Sequence, residues 1–163
     1  MILVTVGTHD QGFNRLVQAM DQLAEKVDEP VKIQRGSSTY QPIHAEEFRY
    51  VTSEKISQLY DEARVVVSHA AAGSIILGFR KRRPLIIVPR QAIFDEHIDD
   101  HQMQLARALH EQQRAITVYD PRPQTLHEAI KRADALHKSH SQAENKELGQ
   151  LVQALKEQIE QWT

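Results

Sequence analysis

Cysteine is absent from this chain, and glycine, proline and aromatic residues are scarce among its 163 residues. Without cysteine the chain holds no disulfide, no zinc–thiolate site and no cysteine nucleophile, and it suits a reducing compartment. A net charge of -2 does not provide the basic surface of nucleic-acid-binding proteins, so we expect no nucleic-acid partner. No apolar run approaches the ~20 residues of a membrane span, and the first residues lack the features of a signal peptide. We therefore expect a cytoplasmic protein that reaches the inner face of a membrane only through a partner or a surface patch.

Three familiar motifs are missing as well. The patterns GxGxxG, GxxxxGK[ST] and GxSxG do not occur, which argues against the usual dinucleotide site, a P-loop NTPase and an α/β-hydrolase nucleophile. The length fits one domain that folds without metal or disulfide. We interpret residues 1–163 as a single domain that ends in a helix at 139–163.

Short apolar runs alternate with helical patterns along the chain, as in a parallel α/β sheet. The predicted strands are Ile2–Val6, Val31–Gln34, Phe48–Val51, Val65–Val67, Leu85–Val88 and Ala115–Val118. Apolar stripes at helical spacing lie between them and predict helices, one capped by Ser53 and one running from about Ile98 to His110. We predict an α/β fold, a Rossmann-like parallel sheet with helices on both faces.

Polar and small residues follow the predicted strands at their carboxyl ends, where ligands bind in such folds. These ends read Gly7-Thr8-His9, Arg35 to Ser38, Ser68-His69-Ala70 and Pro89-Arg90-Gln91. Glycine and alanine let backbone N–H groups approach a ligand closely, and helices that begin there point positive dipole ends at an anion. The pattern favours a diphosphate as the ligand.

The segment from Val88 to Gln102 is rich in ionisable groups directly after a buried strand. Helical spacing predicts that His101 and Gln102 share an inner face with Ile98, Leu105 and Leu109. Polar groups on an inner face need partners, which are either loop carbonyls or a ligand at the sheet edge. We favour the ligand, because the position coincides with the predicted crevice.

A metal site is the alternative for the histidines of this segment, since His97 and His101 are four residues apart. The glutamate of an HExxH motif is missing, and no third ligand is obvious. We therefore predict no metal.

Several segments together resemble a known family. The sequence MILVTVGTHDQGFNRLV at 1–17, the turn VVSHAAAGS at 66–74 and the segment VPRQAIFDEHIDDHQ at 88–102 carry the likeness, and RGSSTYQP at 35–42 is a looser match. They resemble small bacterial exopolysaccharide glycosyltransferases, which are relatives of the catalytic subunit of the two-component dolichol-pathway N-acetylglucosaminyltransferase. The family is that of the glycosyltransferase family 28 C-terminal domain. The likeness extends from Met1 to about Leu126.

The resemblance implies the C-terminal half of an inverting GT-B glycosyltransferase that binds a UDP-sugar. It also implies a separate membrane-anchored subunit that binds a lipid-linked sugar acceptor. An exposed apolar patch should mark the docking surface, and the last helix with Trp162 is a candidate. No cofactor is implied, because the UDP-sugar is a substrate. We predict His69 and His101 as the catalytic residues, because histidine has a suitable intrinsic pKa for a general base. The resemblance and the strand-end pattern together predict the donor-binding residues Gly7, Thr8, His9, Gly36, Ser37, Ser68, Ala72, Gly73, Ser74, Arg90, Glu96, His97, Asp100 and Gln102.

Two departures from the family pattern leave alternatives open. Ala71 stands where glycine is common, and Leu77 stands where relatives often carry a glutamate for the ribose hydroxyls. The catalytic base is a histidine of this chain, with His9 a further candidate, or it belongs to the partner. A non-catalytic nucleotide-sugar-binding accessory subunit is the second interpretation, and an epimerase-like enzyme is the third.

Overall fold

The computed structural model describes residues 1–140 and 145–161. Within them the chain forms a parallel sheet of six strands in the order β3-β2-β1-β4-β5-β6. The strands are β1 Ile2–Thr5, β2 Val31–Gln34, β3 Glu46–Phe48, β4 Val65–His69, β5 Leu85–Val88 and β6 Ile116–Thr117. The helices are α1 Asn14–Ala24, α2 Ser53–Glu62, α3 Ala72–Arg80, α4 His101–Glu111, α5 Pro123–His140 and α6 Asn145–Glu160, with a 3₁₀ turn at Ala92–Phe94.

Side chains that alternate along β1 divide the core into two layers. Ile2 and Val4 pack with α1 and α5 on one face, whereas Leu3 packs with residues of α2, α3, α4 and α6 on the other. Alternation of this kind follows from the two-residue period of a strand. Helices therefore cover both faces of the sheet, which confirms the predicted fold class.

The strand order creates one crevice in the middle of the sheet. From β1 the chain proceeds outward through β2 and β3, and it then returns to the centre at β4 before it proceeds through β5 and β6. The loops after β1 and β4 consequently leave the sheet toward opposite faces and part from each other at its carboxyl edge. A reversal of this kind is where ligands bind in open α/β sheets.

Two predicted boundaries near the third strand are wrong. The strand lies at Glu46–Phe48, because Phe48 pairs with Gln34 at the end of β2, and it ends before the exposed Tyr50 and Val51. The cap of α2 is Thr52, not Ser53. Its extended backbone lets its hydroxyl accept a hydrogen bond from the Lys55 N–H at 3.2 Å.

The helix predicted from Ile98 begins at His101, and this difference changes which residues face inward. Ile98 lies in the preceding loop with 80% of its surface exposed, and His101 is exposed as well. Asp99 accepts the His101 N–H at 3.0 Å, and Asp100 accepts the Ala92 N–H at 3.0 Å. Aspartates that bond nearby backbone groups favour a turn over a helix. The inner face of α4 therefore begins at Gln102.

The boundary of the C-terminal helix predicted at 139–163 differs in the structure. Ser139 belongs to α5, and α6 places Leu151 and Leu155 in the core beside α3. Residues 141–144 and 162–163, and with them Trp162, lie outside the described residues. No helix in the described part of the chain is long and apolar enough to cross a membrane.

Candidate functional site

Gly7 and His69 meet at the centre of the crevice. Gly7 has a φ of +77°, and a Cβ atom at this position would lie 2.5 Å from His69 Nε2, so both the backbone angle and the space require glycine. His69 Nδ1 lies 3.2 Å from the Thr5 carbonyl oxygen, and it therefore carries the hydrogen and donates. The other ring nitrogen, Nε2, is the one that faces Gly7. Burial, together with the nearby Arg90 cation, lowers the pKa of His69 to about 3, so the ring is neutral at ordinary pH.

The N-terminus of α3 forms one side of the crevice. Ala71 occupies the cap position and offers no side-chain acceptor to the N–H groups of Ala72, Gly73 and Ser74. A Cβ atom at Gly73 would meet nothing within 4 Å. An uncapped first turn with open space beside it is suited to an anion, because its N–H groups and the helix dipole both favour negative charge.

A buried polar network supports this turn from below. The Thr5 hydroxyl donates to Ser68 Oγ at 3.1 Å, and the Ser68 hydroxyl donates to the His69 carbonyl at 2.9 Å. The hydroxyl of the buried Tyr60 donates to the Ser74 carbonyl at 3.3 Å. Ser68, a predicted donor-binding residue, is thus bonded within the protein.

Arg90 lies buried on the opposite side, with 1% of its surface exposed. Its Nη1 donates to the carbonyls of Gln11, Gly12 and Glu96 at 2.8, 3.2 and 2.9 Å, and its Nη2 donates to the Val6 carbonyl at 2.6 Å. The guanidinium, predicted to contact the donor, is surrounded by protein carbonyls in this structure.

The loop after β5 is held by further polar contacts. Glu96 is buried, accepts two bonds from the Arg15 guanidinium at 2.7 and 3.0 Å and accepts the Gln91 N–H at 3.0 Å. Gln102 is buried too, and its Oε1 accepts the Arg90 N–H at 3.1 Å. Glu96 and Gln102 therefore position the loop from its inner side.

Three histidines gather at the outer rim of the crevice. The His9 and His97 rings lie 4.8 Å apart between centroids, and Asp99 lies 3.1 Å from His97 Nδ1 and 3.3 Å from His101 Nδ1. Burial lowers the pKa of His9, and the neighbouring His97 and Arg90 act in the same direction. The hydrogen bond from the His101 backbone N–H is the largest influence on Asp99 and lowers its pKa. Burial acts in the opposite direction, and the nearby His101 and His97 lower the pKa further. Among the described residues, no group of three or more His, Asp or Glu side chains is placed to hold a metal ion.

The loop after β2 reaches the same edge. Gly36 has a φ of +54°, and a Cβ atom there would lie 2.9 Å from the Gly7 carbonyl oxygen, so the two glycine turns touch. Ser38 Oγ accepts the Phe13 N–H at 2.8 Å, and Ser37 Oγ shares a hydrogen bond with the exposed Tyr50.

The fold therefore gathers the predicted site residues at one sheet edge, in three kinds of position. Thr8, Gly73, Asp100 and His101 are exposed at the surface of the crevice. The buried members are Gly36, Ser68, His69, Arg90, Glu96 and Gln102, and the remaining members, Gly7, His9, Ser37, Ala72, Ser74 and His97, are half-buried.

Sequence reasoning overlooked two residues that organise this edge, and a third, Asp21, that holds the segment before β3. Arg15 and Tyr60 carry no sequence signal, since their partners lie far away along the chain. Asp21 did carry one, because it follows Val17 by four residues and so interrupts the apolar stripe of α1. It is fully buried and accepts the N–H groups of residues 43–45 and the Tyr40 hydroxyl. Burial raises its pKa, but these hydrogen bonds outweigh burial and lower the pKa overall.

Comparison with known proteins gives two sequence findings. The family model described as the glycosyltransferase family 28 C-terminal domain matches residues 1–160. The UDP-N-acetylglucosamine transferase subunit ALG13 of Homo sapiens is 31% identical over 104 residues, which cover 62% of this chain and 8% of the relative. The subunit of the same name from Mus musculus is 28% identical over 85 residues, which cover 50% of this chain and 7% of the relative. The chain thus spans only a small part of the length of these curated relatives.

Solved glycosyltransferase structures share the fold. The calicheamicin glycosyltransferase CalG4 superposes with a TM-score of 0.62 at 16% identity, over 97% of this chain and 38% of CalG4. A glycotransferase of kitacinnamycin superposes with a TM-score of 0.64 at 16% identity, over 97% of this chain and 40% of the glycotransferase. The MurG protein of Acinetobacter baumannii superposes with a TM-score of 0.57 at 16% identity, over 94% of this chain and 49% of MurG. The described chain has the Rossmann-like α/β fold of one half of a GT-B glycosyltransferase.

Proposed function

Since the chain belongs to the family of the glycosyltransferase family 28 C-terminal domain, we propose that it is the donor-binding, catalytic half of a UDP-sugar-dependent glycosyltransferase. It transfers a hexose with inversion to a lipid-linked acceptor in polysaccharide biosynthesis. The observation that carries the proposal is the uncapped N-terminus of α3, which lies beside the neutral His69 in the central crevice of the sheet.

The first turn of α3 stabilises the diphosphate that leaves in this reaction. The N–H groups of Ala72, Gly73 and Ser74 supply hydrogen-bond donors, and the helix dipole adds positive potential where the charge of the leaving group develops. His69 presents its unprotonated Nε2 toward Gly7, so the neutral ring adds no positive charge there. We expect protein groups, not a divalent ion, to hold the phosphates, and chelator treatment should leave donor binding unchanged.

The two catalytic histidines predicted from the sequence differ in their fitness as a base. A pKa of about 3 makes His69 a weak base at neutral pH, since efficient proton transfer needs a pKa near the operating pH. His101 is exposed at the crevice rim, and Asp99 contacts its Nδ1. We therefore propose His101 as the base within this chain, and a base on the acceptor-binding subunit is the alternative.

A second subunit completes the transferase. The chain covers 38 to 49% of the three solved transferases, so more than half of each has no counterpart here. Three large apolar side chains, Ile93, Phe94 and Ile98, are exposed on the loop after β5, beside the proposed donor site. We propose that the membrane-anchored acceptor-binding subunit covers them and holds this chain at the cytoplasmic face of the membrane. The aspartates at positions 95, 99 and 100 in the same loop favour a protein partner with basic residues around an apolar surface.

Titration calorimetry with UDP and then with UDP-sugars tests donor binding by the pure chain. UDP should also raise the melting temperature, because a ligand that binds only the native state stabilises it. No heat and no thermal shift at millimolar UDP, with folded protein, would count heavily against the donor site.

Sugar transfer measured with and without the acceptor-binding subunit tests whether this chain is catalytic and whether it needs a second subunit. The chain alone should transfer little or no sugar, and the two subunits together should be active. Full activity of the pure chain would refute the two-subunit proposal. In the active complex, His101→Gln should lower kcat by about 10²–10⁴-fold if His101 is the base. An unchanged kcat would move the base to the partner.

A non-catalytic accessory subunit that binds the nucleotide sugar is the second candidate. Two observations favour it: the low pKa of His69, and the position of Leu77, which packs against the core of its face and so cannot hold a ribose. This candidate predicts UDP-sugar binding by the chain but full transfer by the acceptor-binding subunit alone.

A further inference from the structure

The buried guanidinium of Arg90 joins two loops that the chain order keeps far apart. Its four bonded carbonyls belong to Val6, Gln11, Gly12 and Glu96. Three of them lie at the two ends of the loop after β1. The fourth lies in the loop after β5, about 80 residues away in the chain. The Phe13 ring lies 5.1 Å from the guanidinium carbon and closes one face of it. Arg90 thus contacts both loops from the buried side, and the Gln11 side-chain amide adds bonds to the Asp95 carbonyl and carboxylate.

The chemistry around Arg90 separates this role from that of a phosphate-binding arginine. Burial lowers the pKa of the guanidinium to about 10, so it is still charged at neutral pH. The carboxylate of Glu96 is bonded to Arg15, while the group that Arg90 contacts is the Glu96 main-chain carbonyl. Both terminal nitrogens are bonded to carbonyls, and the remaining donor, Nε, is buried among protein atoms without a partner. Because only 1% of the side chain is exposed, it offers almost no surface to a diphosphate.

We propose that Arg90 is a positioning residue for the donor site, which makes the loops at 7–12 and 91–96 one rigid unit. The inference rests on the proposed function for what the unit binds, but the coupling of the two loops does not depend on it. The fork of a guanidinium is required, because a lysine ammonium is a compact group that cannot span four carbonyls in this arrangement. Loss of the fork leaves buried carbonyls unsatisfied in both loops at once.

Two variants distinguish positioning from simple charge. Arg90→Lys retains the positive charge without the fork, and Arg90→Met removes both with a side chain of similar length. We expect both to weaken UDP binding by about tenfold or more, measured by calorimetry below the melting temperature of each variant. Hydrogen exchange should rise at 7–12 and 91–96 together. Ile130→Ala is the control, because it opens a cavity in the core beneath α5. It should lower stability without changing UDP affinity, and it should not raise hydrogen exchange in these two loops relative to the rest of the protein.

The outcomes separate this inference from the proposed function. Wild-type UDP affinity in Arg90→Lys, or faster exchange in one loop only, would overturn the positioning role. If wild-type protein binds no UDP but the variants loosen both loops together, the donor-site proposal fails and the coupling stands. If the variants do not fold, native-state hydrogen exchange of the wild type shows whether the two loops open together. The amides of both loops should then share one opening free energy, and two clearly different values would refute the coupling.

Discussion

The two sides of the central crevice are built in opposite ways. On one side, Arg90, Glu96 and Arg15 direct their charged groups inward to carbonyls and to each other, and little polar capacity is left for a ligand. On the other side, α3 begins without a side-chain cap, next to a glycine with open space around it. In the proposed donor site, the first side would supply rigidity, and the second would supply hydrogen bonds.

His69 stands between the two sides, and its burial makes the comparison testable by pH. The ring titrates near 6.5 in the unfolded chain and at about 3 in the folded protein. Between these values the unfolded chain binds more protons, so stability should fall as the pH drops from 6.5 to 3, by up to about 5 kcal/mol. Urea unfolding of wild type and His69→Gln across this range measures the effect. The stability advantage of wild type should shrink as the pH falls, and a constant difference would show that His69 titrates normally.

Gly7→Ala should have the next largest effect. The substitution places a Cβ atom against the His69 ring at a positive φ, so strain and overpacking together should cost about 2–5 kcal/mol. Thermal or urea unfolding gives the value. Gly149→Ala is the matched control, because a Cβ atom on that helical glycine meets nothing within 4 Å, and it should stabilise by up to about 1 kcal/mol. Equal effects of the two variants would remove the claim that Gly7 is sterically required.

Gln102→Ala and His101→Ala should separate two neighbouring residues that the sequence treats as a pair. Gln102 is buried and accepts the Arg90 N–H, so its loss should destabilise the protein by about 1–3 kcal/mol. His101 is exposed at the rim, and its loss should change stability by less than about 0.5 kcal/mol. Melting temperatures measure both, and UDP-sugar titration shows whether the exposed residue serves the ligand. A large loss of stability in His101→Ala would place that residue in the structural side of the crevice.

Local sequence patterns were sufficient for most of the fold. The alternation of apolar residues in β1 and the period of α1 each reflect a constraint within a few residues, so the pattern predicts the structure directly. Ile98 shows the limit of this reasoning. Its spacing fits the inner face of a helix, but the aspartates at 99 and 100 bond the backbone and delay the start of α4.

The candidate site was harder to predict in its details than in its location. Strand ends predicted which side chains meet at one edge of the sheet, because parallel strands all point their carboxyl ends the same way. The sequence could not show that Arg90 faces four carbonyls, since three of them belong to a loop some 80 positions earlier in the chain. An arginine after a buried strand looks the same in the sequence whether it meets a phosphate or the main chain. Only the tertiary structure distinguishes the two.

Gly73→Ala tests the open side of the crevice with the smallest change. Alanine is a better helix former than glycine, and the new methyl group would meet no protein atom within 4 Å, so stability should be equal to wild type or up to about 1 kcal/mol higher. If a diphosphate lies against the first turn of α3, however, the methyl group stands where the phosphate oxygens approach the N–H groups. UDP affinity should then fall by about tenfold, or about 1.4 kcal/mol, in a protein that is at least as stable. Calorimetric titration and a melting curve on the same sample separate the two quantities. Unchanged affinity would mean that the nucleotide does not approach this turn closely, and the open side of the crevice would then lose its role as the ligand-binding half.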